Sequence, residues 1–281
     1  MHVGIMSGHF KRPSLEESLD AILAHEIRHL QFNMSSAHLQ GPIEEEIESA
    51  GPHIREQIRN RDMVIAALGG PVNMVHVDPE KRQQAIDRLS ILISACEHVG
   101  TSVIATCTGS RDPESMWRYH PDNASESTWR VLCSTLEQIL PVAEAADVTI
   151  AFEPEFNNVA CDAEKSRRLI DDMRSPNLKV VMDAANIFGE NDLSRMTEVL
   201  DEAFELLGDH IAVAHGKDLD HGGDAGHLAA GTGKLDYEHY VKLLCELPFE
   251  VAVILHGLSE EQVPGAADML RRYATKHQVA L

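Results

Sequence analysis

The chain has 281 residues, 43% of them apolar, and a formal net charge of −21 from 24 basic against 45 acidic residues. That imbalance excludes the usual nucleic-acid binder, which takes most of its affinity from Lys and Arg on phosphates, and leaves a small molecule as the expected partner. No apolar run approaches the ~20 residues that cross a bilayer, and MHVGIMSGHF has no charged segment followed by a long apolar one, so no membrane partner and a cytoplasmic location are expected.

In chain order, a first predicted strand at HVGIM is followed by a helix over 14–26, a strand at HLQFN by a helix over 42–61, and MVIAAL by a helix over 80–99. SVIATC leads through the long loop TGSRDPESMWRYHPDN to a helix over 124–146. TIAFE, KVVMD and IAVAH are then each followed by a helical pattern, AEKSRRLIDDM, SRMTEVLDEAFELL and YEHYVKLLCEL, and VAVILH precedes a last helix over 259–276. Eight strand and helix pairs in one domain over 1–281 predict a (β/α)8 TIM barrel, an α/β fold whose usual length is about 250 residues. An open doubly wound sheet would want a G-x-G-x-x-G turn after its first strand, where this chain reads SGHFKRP. The run IEEEIE reads as a solvated helix face. Five cysteines scattered at 96, 107, 133, 161 and 245 form no zinc-ribbon or disulfide spacing, and Cys107, near a strand tip with no base beside it, reads as a packing residue.

Four strands end on metal-competent side chains: Glu153, Asp183, His215 and His256. A strand alternates its side chains between two faces, so a polar residue closing a short apolar run sits at the C-terminal tip, where parallel barrels place their chemistry. Any one of the four has an ordinary explanation, Asp183 as a helix cap or His215 as a core histidine. Together, four ionisable groups at one barrel mouth would repel or stay desolvated without a cation between them. A mixed carboxylate and imidazole set suits one divalent metal ion, Mn²⁺ first, with Co²⁺, Zn²⁺, Fe²⁺ or Mg²⁺ as the other candidates.

The segments IAFEPEFN, VVMDAANIF, AVAHGKD and AAGTGKLDYEHYVKLL resemble the xylose isomerase-like TIM barrels, the sugar phosphate isomerase/epimerase superfamily that also contains dehydratases and AP endonucleases. The resemblance implies a metal bound by Glu153, Asp183 and His215 after the fifth, sixth and seventh strands, and a small carbohydrate substrate; such barrels often pair, so a homo-oligomer is also implied. Two departures stand out. Members that epimerise ketoses end the eighth strand on a second Glu that is both ligand and base, whereas this chain has His256. Glu250 lies six residues back, about 20 Å away at ~3.3 Å per residue, and Glu260 and Glu261 fall in the next helix. His256 either replaces that Glu as fourth ligand or stands free of the metal as a base or substrate contact. Epimerases also tend to place a His three residues beyond the Asp, where this chain has Asn186, an amide suited to a substrate hydroxyl. Acidic charge and Asn186 count against an AP endonuclease; His221 and His227 imitate its extra ligands but lie in a glycine-rich loop and read as solvated. GTGK in that loop fails the phosphate-loop spacing.

Further candidates shape the substrate pocket. The loop after the fourth strand holds Arg111, Trp117, Arg118, Tyr119 and His120; an arginine fork would grip a carboxylate or phosphate and Trp117 would offer a flat face to a sugar ring, a set that fits an acidic sugar derivative. Lys217 alternates onto the side of His215 and would face an oxyanion, while Asn73 and His76 are weaker substrate contacts. The expected function is a divalent-metal-dependent isomerase or epimerase acting on a small sugar through an enediolate, with Glu153 as base, His256 returning the proton or holding the metal, and Lys217 neutralising developing charge. A metal-dependent lyase, decarboxylating or dehydrating an oxidised sugar acid gripped by Arg111, is the alternative from another class. A non-catalytic sugar-binding barrel is the third.

Overall fold

The computed structural model describes residues 1–278. Strands and helices alternate as β1 (His2–Met6), α1 (Leu15–Leu23), β2 (His29–Phe32), α2 (Ile43–Arg59), β3 (Val64–Gly69), α3 (Pro79–Val99), β4 (Val103–Cys107), α4 (Glu126–Ala145), β5 (Thr149–Glu153), α5 (Ala163–Met173), β6 (Leu178–Asp183), α6 (Met196–Leu207), β7 (Ile211–Asp218), the two-residue β8 (Leu228–Ala229), α7 (Tyr237–Cys245), β9 (Ala252–Leu255) and α8 (Val263–Gln278). Five helices start on side-chain caps: Ser14, Asp78, Ser125, Asp162 and Asp236 each accept a hydrogen bond from a backbone N–H of the first turn. Strands β1 to β7 pair in parallel in sequence, β7 pairs with β9, and β9 returns to β1, which closes an eight-stranded (β/α)8 barrel.

The core has two layers of different grain. Large residues such as Phe32, Leu68, Phe152 and Leu255 fill the space between strands and helices. Inside the barrel the layer is made of small or β-branched residues: Ala67, Ala105, Ala151, Val181, Val213, Ala252 and Ile254. Gly4 belongs to the same constriction, because a Cβ there would come within 2.5 Å of Ile254 Cδ1 and 2.7 Å of the His29 carbonyl oxygen. This layer positions the site. Two residues beyond Ala151, Val181, Val213 and Ile254, on the same inward face, stand Glu153, Asp183, His215 and His256.

The expected elements are present with shifted ends. β7 runs to Asp218 instead of closing at His215, because β8 pairs with Lys217 and Asp218 and extends the ladder. The eighth barrel strand stops at Leu255; His256 lies one residue past it, its N–H donating to the Gly216 carbonyl at 3.3 Å. The last helix begins at Val263 because a 3-10 turn with a Ser259 and Gln262 capping box occupies Glu260–Gln262. IEEEIE lies on α2 with Ile43 and Ile47 buried and Glu44, Glu45 and Glu48 exposed.

Candidate metal centre and substrate cavity

Ligand atoms of Glu153, Asp183, His215 and His256 all lie within 4.8 Å of one another at the C-terminal mouth of the barrel. Their side chains are 12%, 0%, 1% and 15% exposed, so the group sits away from bulk water. His215 Nε2 donates to Gln31 Oε1 at 2.9 Å. In the neutral ring this leaves Nδ1 with a lone pair, and that atom is buried with no hydrogen-bond partner among the described residues. It faces Glu153 Oε1 at 3.5 Å and Asp183 Oδ2 at 3.8 Å, two acceptors set against a third. Three acceptors converging in a buried space fit a cation, and the donor set of two carboxylates and two imidazoles fits a divalent ion of borderline hardness.

The surrounding groups fix this geometry. Asn186 donates from Nδ2 to Glu153 Oε1 at 2.6 Å and accepts from the Gly226 N–H at 2.9 Å, so the residue expected to meet a substrate hydroxyl instead orients Glu153. Asp183 Oδ1 accepts from the Ala185 N–H, while Oδ2 meets His256 Nε2 at 3.1 Å and Lys217 Nζ at 3.2 Å. Burial alone would raise the Asp183 carboxyl, but Lys217, His256 and His215 outweigh it and hold the group well below the usual carboxylate range. Burial likewise works against the Lys217 ammonium, yet Asp183, Glu153 and Glu155 keep it above its ordinary value. Lys217 therefore stands beside His215 as expected, with its charge directed at Asp183. His256 is pushed down to about 4, by burial first and then by the neighbouring His215 and the Lys217 ammonium, which leaves a neutral imidazole able to donate a lone pair. Behind the site, the Tyr240 hydroxyl donates to the carbonyls of Met182 and His215, and Tyr237 donates to that of Lys217, so α7 pins the ends of β6 and β7.

A cavity of about 420 Å³ opens above the cluster. Glu153, His215, His256 and Lys217 form its floor, and Trp117, 46% exposed, forms part of its rim. Other residues expected here are elsewhere. Arg111 Nη1 donates to the Val75 carbonyl at 2.9 Å and the His76 carbonyl at 3.4 Å, so its fork is turned into the loop backbone and away from the cavity. His76 joins two loops, Nε2 to the Pro113 carbonyl of the loop after β4 and Nδ1 to the Asp78 N–H of its own, and His120 Nδ1 accepts from the Asp122 N–H as a turn cap. Asn73 holds the Ser110 carbonyl, Arg118 pairs with Glu114 at 2.9 Å, and Tyr119 is 53% exposed. Arg111, Asn73 and His76 thus tie the loops after β3 and β4 to each other through backbone carbonyls, while His120 caps its own turn.

Among the lining residues that the sequence did not single out are the polar Gln31, Asn157, Asp224 and Glu155. Glu155 lies two residues past Glu153, is 4% exposed, and is raised to about 8 by burial and by the neighbouring Glu153 charge. Its signal was the repeat E-P-E. Cys107 is buried with its thiol pushed well above the ordinary range by burial, Glu155 and Glu153, which fits packing and not nucleophilic attack. The GTGK segment has a local purpose: the N–H groups of Gly231, Gly233 and Leu235 surround the buried Asp218 carboxylate, and a Cβ at Gly233 would meet Asp218 Oδ1 at 2.4 Å. His221 and His227 gather with Asp220 in this loop, each more than half exposed. No described helix is long and apolar enough to cross a membrane.

Among solved structures, the chain is similar to a D-tagatose 3-epimerase-like protein at 17% identity, with TM-score 0.77 and 100% and 99% of the two chains covered. It is similar also to the IOLI protein with a binding zinc atom, at 15% identity and TM-score 0.75 over 99% of each chain. A probable 3-DHS dehydratase, AsbF, from Bacillus anthracis matches at 13% identity and TM-score 0.75, over 96% of this chain and 99% of that one. At these identities the likeness is one of fold. No curated protein matches the chain at a significant level of sequence similarity. The family model described as xylose isomerase-like TIM barrel matches residues 19–273, nearly the whole barrel, and the chain belongs to that family.

Proposed function

We infer that the chain is a divalent-metal-dependent isomerase or epimerase of a small sugar. The observation that carries this reading is the buried, partnerless Nδ1 of His215 facing two carboxylates, with His256 beside them and a sugar-sized cavity above. Glu153, Asp183, His215 and His256 would hold the ion, with imidazole in the place of the second carboxylate. A bound divalent ion would polarise a carbonyl and its neighbouring hydroxyl and so stabilise an enediolate. Manganese is the first candidate, and the zinc in the IOLI structure makes zinc the next.

The protein's own groups supply the proton transfers. Glu153, with Oε1 held by Asn186 and its side chain lining the cavity, would take the proton from the carbon between the two substrate oxygens. Lys217, its ammonium 3.2 Å from Asp183, lies on the cavity floor, where its positive charge would balance negative charge developing on the substrate. Trp117 supplies an apolar face at the rim and limits water entry. Arg111, the group expected to grip a sugar acid in the lyase reading, is committed to loop carbonyls, so that reading loses its anchor. The ordered ligand cluster speaks against a barrel that only binds sugar. The test is turnover of a ketose panel by the protein dialysed against Mn²⁺, followed by proton exchange from solvent D₂O. Deuterium incorporated at the carbon beside the carbonyl, lost in Glu153→Gln, supports the reading; turnover with carbon dioxide or water released, or none with any sugar that binds, contradicts it.

A further inference from the structure

Carboxylates dominate the cavity beyond the ligand cluster. Besides Glu153 its wall carries Glu155 and Asp224, and the only cationic side chain there, among the described residues, is Lys217, already paired with Asp183. Glu155 is 4% exposed and its side chain makes no hydrogen bond to any described group, while its backbone is fixed by bonds to Ala160 and Asn158. A buried carboxyl lining a cavity with its hydrogen-bonding capacity unused is built for a ligand. Asp224 is held over the same space by Asn157 Nδ2 at 2.6 Å and the Ala225 N–H at 2.8 Å. The two arginines of the rim loop face elsewhere, Arg111 onto carbonyls and Arg118 onto Glu114.

We propose that Glu155, with Asp224, is a charge filter that admits an uncharged polyhydroxylated sugar and rejects the same sugar carrying a phosphate or carboxylate. The inference rests on the sugar reading of the site and narrows its substrate class. With a divalent ion shared by Glu153 and Asp183, Lys217 keeps its contact to Asp183 and has Glu155 beside it, so an anionic substituent meets a cation already flanked by carboxyl groups. Ionised, Glu155 repels such a group; uncharged, it offers at most one O–H donor and no positive charge to offset the group's desolvation. Hydroxyls find the reverse, a carboxyl acceptor with two oxygens and a second acceptor across the cavity. Unpaired polar groups make such a site discriminate strongly against a ligand that cannot satisfy them.

The experiment measures binding separately from turnover. Mn²⁺-loaded protein is titrated by calorimetry with unphosphorylated ketopentoses and ketohexoses, their terminal phosphate esters and the matching hexuronates. The expected result is binding of at least one neutral sugar, with its phosphate and carboxylate counterparts at least about tenfold weaker, and a narrowed gap in Glu155→Gln, which keeps shape and one acceptor. Equal or tighter binding of the charged counterparts overturns the filter, as does an unchanged gap in Glu155→Gln. If charged sugars are also turned over, the isomerase reading survives alone. A neutral preference without any turnover leaves the filter and removes the isomerase, and no binding by either kind removes both.

Discussion

The barrel carries histidine beside carboxylate at both ends, and the two ends behave differently. At the N-terminal end His2 Nε2 meets Glu250 at 2.7 Å and His29 stacks on His2 at 4.2 Å, yet the paired side chains are 40% and 74% exposed. At the C-terminal mouth the same residue types meet at 3.1 to 3.8 Å with none more than 15% exposed. Water solvates the first set, and a surface pair of this kind contributes about 0 to 1 kcal/mol. The second set has no water to fall back on and holds a buried nitrogen without a partner. Composition alone therefore does not distinguish a site from a surface pair; unsatisfied burial does. The Asp220, His221 and His227 group in the β7 loop, exposed throughout, falls on the surface side of that line.

Substitutions sharpen the contrast in order of size. Glu153→Gln removes the proposed base while keeping shape and is expected to lower turnover by roughly 10³-fold or more. Its thermal unfolding should stay close to that of the parent, so a collapse of the fold would show that Glu153 is structural. Asp183→Asn strips Lys217, 8% exposed, of its buried counter-charge. Denaturant titration of the metal-free protein should then show a loss of about 3–5 kcal/mol, as for a broken buried pair; a change under about 1 kcal/mol would mean that Lys217 finds its compensation elsewhere. Asn186→Ala frees Glu153 Oε1 and should cost about 10- to 100-fold in kcat or metal affinity. Unaltered kinetics would assign Asn186 to the loop bond with Gly226 alone. Glu250→Gln at the opposite end should change stability by no more than about 0.5 kcal/mol and leave turnover untouched; a large effect would break the distinction between the ends.

Period-two alternation made the convergence of Glu153, Asp183, His215 and His256 readable in advance. Ala151 and Glu153, Val181 and Asp183, Val213 and His215, Ile254 and His256 each step along one face, so a polar tip after a small inward residue reports its own direction. That rule reaches one residue past the strand at His256 and gives out beyond that. Glu155 follows Pro154 outside β5, and nothing local fixes that it turns back into the cavity. Gln31 was missed for a different reason: it orients His215 from 184 residues away, a pairing that depends on barrel closure. Arg111, His76 and His120 show the opposite error, side chains that look free in polar loops but satisfy the carbonyls of the neighbouring loop, as Arg111 and His76 do, or an amide of their own, as His120 does. Loop chemistry is decided by which backbone groups lack partners after folding, and no residue pattern announces that.

The central claim is that the buried cluster, and not the exposed one, holds a single divalent ion. The direct measurement is calorimetric titration of chelator-treated protein with Mn²⁺, run on the parent, His215→Ala and His221→Ala. One ion per chain in the parent and in His221→Ala, with binding lost in His215→Ala, is the predicted result. Binding that survives in His215→Ala, disappears in His221→Ala, or is absent from the parent would contradict it.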